Sequence, residues 1–528
     1  MNYRNLTKDR IITSTSSLRK NMDLGVLFML GIICLLNFSC KKFLKESSQS
    51  EFTPKTTKAF SELLMGSGYP LLNADALNIA VCFFDDDIQQ YSSPIISSIP
   101  DVISTRCLPA YSWQPDFFEG LKSSGFDAAG TSIDGYRNYY KHIIGTNIAI
   151  QYGEGSNGTQ KDKDFLLGQA YALRAYYYFQ LVNLYGRPYN DSTTTPEKSL
   201  GVPLILSANV SDSMPKRNTV AEVYKQIVSD LNNAFEKLDQ EKRSDDIHRI
   251  DHVAAHFLAS RVALYMGKWD SVISDASYVI QYHPALMDLN DWFPRVLQPN
   301  GQYRFLPIVG DDNVESIWVY GNVQETFPFG NETQYNMSQS LIQAFDEKDL
   351  RAQIYYTKVP DIILPFVTTP AQAKKWTSIN GGSRDAFGCA FRSSEAYLNR
   401  AEAYAEKFIM TGETTFEQKA LDDLNALRVK RFKPEDYVPL GPMPPDSLLQ
   451  FCRNERRREL FMEGQRWFDL RRYGMPAITH TYSAIKGQSV TYILNKHDPQ
   501  YTLQIPQTAT DLNQNLSQNE AGPKREPQ

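Results

Sequence analysis

Residues Asp164–Tyr185 read DFLLGQAYALRAYYYFQLVNLY. Drawn as a helix, the stretch is apolar or aromatic on most of its faces, so it has to be deeply buried. Gly186-Arg187-Pro188 stops it. Ahead of it, Ile133–Tyr152 carries Ile133, Tyr136, Tyr140, Ile143, Ile144 and Ile148 at close to 3.6 spacing until GEGSNGTQ breaks the pattern.

Further helices follow with their own start signals. TVAE at Thr219 is a capping box: the Thr219 hydroxyl and the Glu222 carboxylate satisfy each other's backbone N–H groups, and the helix runs to about Leu238. Asp251 caps DHVAAHFLASRVALYMG, which ends at Gly267, and Lys268–Tyr282 is its partner after a very short turn. Ala254, Ala255, Ala259 and Ala263 allow close approach. The pair resembles one helix–turn–helix unit of the tetratricopeptide class, and Ser393–Lys407 with Gln418–Lys430 looks like another. The fold class is therefore mainly α: a tetratricopeptide-like helical-pair scaffold over about 133–283 and 392–474, with a loop-rich, short-strand remainder at about 75–126 and 284–390.

The chain has 528 residues, 42% of them hydrophobic, which is ample for a core. A net charge of −5 argues against nucleic acid as a partner. At the N-terminus Arg4, Lys8, Arg10, Arg19 and Lys20 precede the apolar run Leu24–Phe38. That run is short for a membrane span, which needs roughly 20 residues, and fits a signal-peptide core. Ser39-Cys40 closes it like a bacterial lipoprotein cleavage site, with Cys40 as lipid attachment point. Residues 1–39 are then a signal peptide, 40–55 a flexible tether, 56–520 a single domain and 521–528 a disordered tail. Cys82, Cys107, Cys389 and Cys452 show no CxxC spacing, and a Cys82–Cys107 disulfide stays open.

Catalytic and metal signals are weak. His248, His252 and His256 are spaced i, i+4, i+8, but Asp251 leaves His248 outside the helix and no HExxH glutamate is present, so no metal site is expected. Asp85-Asp86-Asp87 and Asp311-Asp312 read as solvated loop acids rather than calcium ligands. Nucleophile elbow, P-loop and dinucleotide motifs are missing, and no cofactor is expected. Aromatics are the better lead, since flat rings pack against the C–H faces of sugars. Tyr111, Trp113 and Phe117 lie in one irregular segment, and Trp292, Trp318 and Tyr320 in the other. Each can equally fill a core, but the set is expected to supply at least one surface platform.

The segment Asn454–Gly474, NERRRELFMEGQRWFDLRRYG, reads as a helix with Leu460, Phe461, Gly464, Trp467 and Phe468 on one face. Gly464 would permit close approach of a neighbour. Glu455/Arg458, Glu463/Arg466 and Asp469/Arg472 are spaced for i, i+3 pairing. Six arginines against four acids are too balanced for a phosphate-binding stripe, so the segment reads as structural.

In order, the chain presents a lipoprotein start, GQAYALRAYYYFQLVNLYGRPY with Arg174, the capped TVAEVYKQIVSDLNNAFEKL, the paired helices, SSEAYLNRAEAYAE, the segment with Glu455, Arg458, Glu463, Gly464, Arg466, Trp467 and Asp469, and YTLQIPQTATDLNQNLSQNEA. This resembles the SusD/RagB family of Bacteroidetes outer-membrane lipoproteins. The resemblance implies a non-enzymatic, lipid-anchored cell-surface protein that captures glycan fragments, or peptides in the RagB branch. It would pass them to a SusC-type TonB-dependent transporter. The helical pairs would face the transporter and the two aromatic segments the ligand. Lys41 and Lys42 depart from the acidic residues that follow the lipidated cysteine in exported members. The alternatives are a surface glycoside hydrolase and a repeat-based scaffold or adaptor.

Overall fold

A computed structural model describes residues 54–528 apart from 72–76, 78–79, 92–101, 125–133, 210–213, 245, 293–294, 298–302, 306, 323–334, 359–370, 374, 376–386 and 484–487. The leader, Cys40 and nearly all of the tether lie outside the described residues. Helices stand at Thr57–Leu63 (α1), Val102–Tyr111 (α2), Phe117–Ser123 (α3), Gly135–Gly153 (α4), Gln160–Tyr185 (α5), Val220–Leu238 (α6), His252–Met266 (α7) and Trp269–Tyr282 (α8). Two short ones follow, Gln339–Ile342 (α9) and Arg351–Ile354 (α10). The C-terminal set is Ser393–Thr411 (α11), Thr414–Arg428 (α12), Pro445–Leu460 (α13), Arg466–Arg472 (α14) and Gln507–Leu512 (α15).

The long helices begin and end on local chemistry. The Thr159 hydroxyl caps α5, and the Thr219/Glu222 box caps α6 reciprocally. Asp251 accepts from the Ala254 N–H at the start of α7, which stops where Gly267 turns left-handed at φ 66°. On α5 every residue from Phe165 to Tyr185 is buried except Tyr171. Its one buried cation, Arg174, grips Asp230 of α6 through two bonds of 2.9 and 2.7 Å and donates to Asn147 of α4 at 2.9 Å. Gly145 of α4 sits so close to the Ser67 backbone that a Cβ there would lie 2.6 Å away.

Helix α4 packs on α5, α5 on α6, and α7 on α8. Helix α8 then packs on α11, and α11 on α12 and α13. The two helical blocks therefore form one stack, which the irregular segment 284–390 leaves at α8 and rejoins at α11.

The strands are short, and each pairs antiparallel with one partner. They are Ile88–Gln90 (β1), Arg295–Leu297 (β2), Tyr303–Phe305 (β3), Ser316–Asn322 (β4), Tyr335–Met337 (β5), Tyr356–Lys358 (β6), Ala371–Ala373 (β7), Phe387–Arg392 (β8), Ile478–Tyr482 (β9) and Val490–Leu494 (β10). The pairs are β1–β5, β2–β3, β4–β8, β6–β7 and β9–β10. All seven residues of β4 are buried, with Trp318 and Tyr320 on one face at alternate positions, stacked at 3.9 Å.

Three expectations are corrected here. The segment 75–126 is not loop throughout: Tyr111 ends α2 and Phe117 starts α3. The segment 454–474 is not one helix. It breaks after Leu460, where Met462 (φ 55°) and Gly464 (φ 75°) turn left-handed, and restarts at Arg466. Gly464 thus serves the turn. Finally, residues 521–528 are tied down. Arg525 pairs with Asp498 at 2.6 Å and donates to the Trp113 carbonyl, and Gln528 exchanges two 3.0 Å backbone bonds with Thr491.

Candidate functional site

Strands β1 and β5 come from the two irregular segments marked for ligand. They pair with Ile88 opposite Met337 and Gln90 opposite Tyr335, joining parts of the chain about 250 residues apart. Tyr91 reinforces the ribbon by donating to the Met337 carbonyl at 2.6 Å. Gln89 accepts from the Gln339 N–H at 3.2 Å. Gln89 and Tyr91 are half-buried, and Gln339 and Ser340 are exposed. Amides and hydroxyls of this kind satisfy the hydroxyls of a polar ligand.

The six selected aromatics mostly stand behind this ribbon or deep in the body. Tyr111, Trp113, Phe117 and Trp318 are 0% exposed and Tyr320 is 4% exposed, so none of the five offers a surface platform. Only Trp292 is partly exposed, packed against a smaller core that includes Met337 and Leu341. The reason is local demand for core volume. His480 of β9 stacks on both Tyr111 and Trp113 at 4.1 Å. The Tyr111 hydroxyl donates to the Thr481 carbonyl at 3.0 Å and accepts from the Gln90 N–H at 3.1 Å, propping β1 from behind. Trp113 holds a left-handed backbone, φ 50°, that is costly outside glycine. Its indole N–H donates to the Phe84 carbonyl at 2.9 Å. Phe117 packs edge-on against Phe84. Trp318 and Tyr320 pack against Tyr176 and Phe391.

Beneath the ribbon lies a seam of buried charge. Glu459 of α13 receives Arg351, Arg392 and Arg431 at 3.0–3.1 Å and the Tyr355 hydroxyl at 2.8 Å. Glu315 takes Arg392 at 2.7 Å and Arg431 at 2.6 Å. Glu455 takes Arg351 at 2.7 Å and Arg458 at 2.6 Å. Burial pushes the Glu455 and Glu459 carboxyls up, but the surrounding guanidinium groups outweigh it. Glu455 ends at about 2 and Glu459 well below the usual carboxylate range. A second cluster joins Arg456 to Asp469 at 2.8 Å and to Glu395 at 3.2 Å, and Arg472 to Asp469 and Glu402.

The expected Glu463–Arg466 pair does not form. Glu463 binds Lys375 and Arg392 instead, because the left-handed turn carries it away from Arg466. Arg466 reaches Asp86. The three consecutive aspartates are therefore not solvated loop acids. Asp85 and Asp87 are buried, and Asp86 and Asp87 are ion-paired with Arg466 and Arg457. Burial opposes ionisation of Asp86, yet the Arg466 hydrogen bonds and charge bring its carboxyl down to about 2. Sequence reasoning missed this contact, although an unusual acidic triplet and an arginine-rich segment in one chain were both visible.

Other candidates separate. His248 lies against the Val319 carbonyl at 3.1 Å and Asp311, ahead of α7. His256 sits between Asp275 and Asp239 at 2.8 and 3.3 Å, which raises it despite burial. Among the described residues no group of three or more His, Cys, Asp or Glu is arranged to hold a metal ion. Cys82, Cys107 and Cys452 are buried and Cys389 is partly buried. A cavity of about 510 Å³ opens between α1, the start of α5 and the α6–α7 connection, lined in part by Lys58, Asn157, Arg243 and Arg249. It includes none of the selected aromatics.

The chain matches two family models. One, described as starch-binding associating with outer membrane, covers residues 112–264, and the other, described as the SusD family, covers residues 315–522. A SusD-like protein of Formosa agariphila is 22% identical over 410 residues, 68% of this chain and 75% of that protein. Among solved structures, a SusD superfamily protein from Bacteroides thetaiotaomicron superposes with a TM-score of 0.65 at 23% identity, covering 88% of this chain and all of that one. A SusD-like carbohydrate-binding protein from Bacteroides vulgatus gives 0.64 at 18% identity, covering 88% and 97%. With two family models falling on successive parts of the sequence and the same helical stack in its solved relatives, this chain belongs to the SusD/RagB family.

Proposed function

We propose that this protein is a cell-surface lipoprotein that captures oligosaccharides, with peptides as the alternative ligand, and hands them to a SusC-type TonB-dependent transporter. Cys40 is the lipid attachment point in this reading, and the outer membrane is reached through that anchor. The observation that carries it is the β1–β5 ribbon. It joins the two irregular segments at one place and lines that place with Gln89, Tyr91, Gln339 and Ser340. The carbohydrate-binding relative from Bacteroides vulgatus supports the ligand class. Trp292 is the selected aromatic that is only partly buried, and it is the stacking residue in this proposal.

The reading is of a binding protein rather than a hydrolase. A glycosidase needs two carboxyl groups about 5–10 Å apart facing the substrate. Near the ribbon, Asp86 and Asp87 are engaged by Arg466 and Arg457. Calorimetric titration of the purified protein with a panel of glycans and peptides tests this. Binding without product formation is the expected result. Turnover would replace it with the hydrolase, and a protein silent toward every ligand would point to the scaffold. Trp292→Ala should weaken binding at least tenfold, whereas Trp113→Ala should act on stability. Cys40→Ala should move the protein out of the membrane fraction.

A further inference from the structure

Two arginines of the segment 454–474 reach out of the helical stack. Arg457 of α13 donates to Asp87 Oδ1 at 2.6 Å, to the Asp86 carbonyl at 3.0 Å and to Ser340 Oγ at 2.9 Å. Arg466 of α14 grips Asp86 with a two-pronged contact, Nε to Oδ1 at 2.6 Å and Nη2 to Oδ2 at 2.9 Å. Ser338 closes the ring: its N–H donates to the Asp87 carbonyl at 2.7 Å, and its hydroxyl donates to the Asp86 carbonyl at 2.7 Å. The residues just before β1 are therefore bound to the residues just after β5, both are bound to α13 through Arg457, and the first are also bound to α14 through Arg466.

This node matters because the ribbon is weak by itself. Each strand has three residues, the partner is not a sequence neighbour, and an isolated two-stranded pair is marginal in water. Its place depends on what ties it. Two guanidinium groups face Asp86 and Asp87, and among the described residues no cation is paired with the third acid, Asp85. Burial, together with Asp87 and Asp86, holds the Asp85 carboxyl well above the usual carboxylate range.

We propose that Arg457 and Arg466 are positioning residues: by holding Asp86–Asp87 and Ser338–Ser340 against α13 and α14, they set the spacing of the two ligand-facing segments. This rests on the function proposed above, since it gives the spacing its purpose. Hydrogen exchange on the purified full chain, read by mass spectrometry, tests the clamp without any ligand. Arg457→Gln should raise exchange at least tenfold in peptides covering 86–90 and 335–341. Peptides covering 164–185 and 252–266 should be unchanged. Arg457→Lys keeps the charge but loses the fork of donors, and should fall between. An unchanged ribbon, or a rise of equal size throughout the chain, would overturn the proposal. If Arg457→Gln does not fold, Asp87→Asn gives the same readout.

Titration with maltoheptaose, a starch fragment, separates the clamp from its purpose. A wild-type protein that binds it should lose at least tenfold in affinity on Arg457→Gln, with partial rescue by Arg457→Lys. Equal affinity in all three would overturn the positioning role while leaving the capture function standing. A wild type that ignores maltoheptaose removes starch fragments from the functional reading, and the exchange result then decides the clamp alone.

Discussion

Helix α5 is buried along most of its length and α13 on one face, and the C-terminal half of α13 buries a different material. Around α5 the contacts are apolar and aromatic, with Arg174–Asp230 as the buried ion pair across to α6. Around α13 they are charged: Glu455, Arg456 and Glu459 are each at most 1% exposed. The first helix gains from removing apolar surface from water, about 25 cal/mol per Å². The second gains less from that source, its buried apolar side chains being Leu448, Cys452 and Leu460. Its charges are costly to bury, and the cost is offset only because each meets a counter-charge and further hydrogen bonds. The apolar core therefore tolerates imperfect neighbours, whereas the charged seam depends on each member.

The strongest way to break this contrast is Glu459→Gln. It strips the shared counter-charge from Arg351, Arg392 and Arg431, and denaturant melts should show a loss of about 3–5 kcal/mol. A loss below about 1 kcal/mol would make the seam no more demanding than a surface pair. Trp467→Ala comes next. The ring is fully buried, stacked on Tyr501 at 4.6 Å and packed against Phe84, and truncation should cost about 3–4 kcal/mol by the same melts.

Acid sharpens the comparison further. Glu455 has a folded pKa of about 2 against an ordinary value of 4.5. Its stabilisation is complete above about pH 4.5 and is lost as pH falls toward 2, to a total of about 3 kcal/mol. Glu459, Glu395, Glu402 and Asp469 shift in the same direction. Asp230 shifts oppositely: burial raises its carboxyl despite Arg174, so its protonation favours the folded state. Exchange protection at pH 3 should therefore fail in α13 before α5. Simultaneous loss would mean the two regions unfold as one unit. The smallest effect belongs to the α6 cap. Thr219→Ala removes the acceptor of the Glu222 N–H and should cost about 1 kcal/mol, seen as a small shift in Tm.

Much of the scaffold was legible because helix signals are local. The periodicity of Ile133–Tyr152, the Thr219/Glu222 box and the Asp251 cap with Gly267 all act within one or two turns of chain. The family resemblance, carried by those helices and the segment 454–474, was equally readable. The aromatics were not. Tyr111, Trp113 and Trp318 look alike in sequence whether they face a ligand or a neighbouring ring. His480 and Tyr176, far off along the chain, supply the rings that cover them.

A mainly helical body with paired helices follows from local sequence alone, since hydrophobic spacing and caps act through neighbours three or four residues away. Where the charges go depends on how distant segments pack. Glu455–Arg458 and Asp469–Arg472 form as spacing allows. Glu463 and Arg466 separate because two left-handed residues redirect the chain between them. Arg466 then finds Asp86, 380 residues away. Electrostatic partners are set by distance in space, and in a buried seam a strong pair at long range displaces a weak one close by.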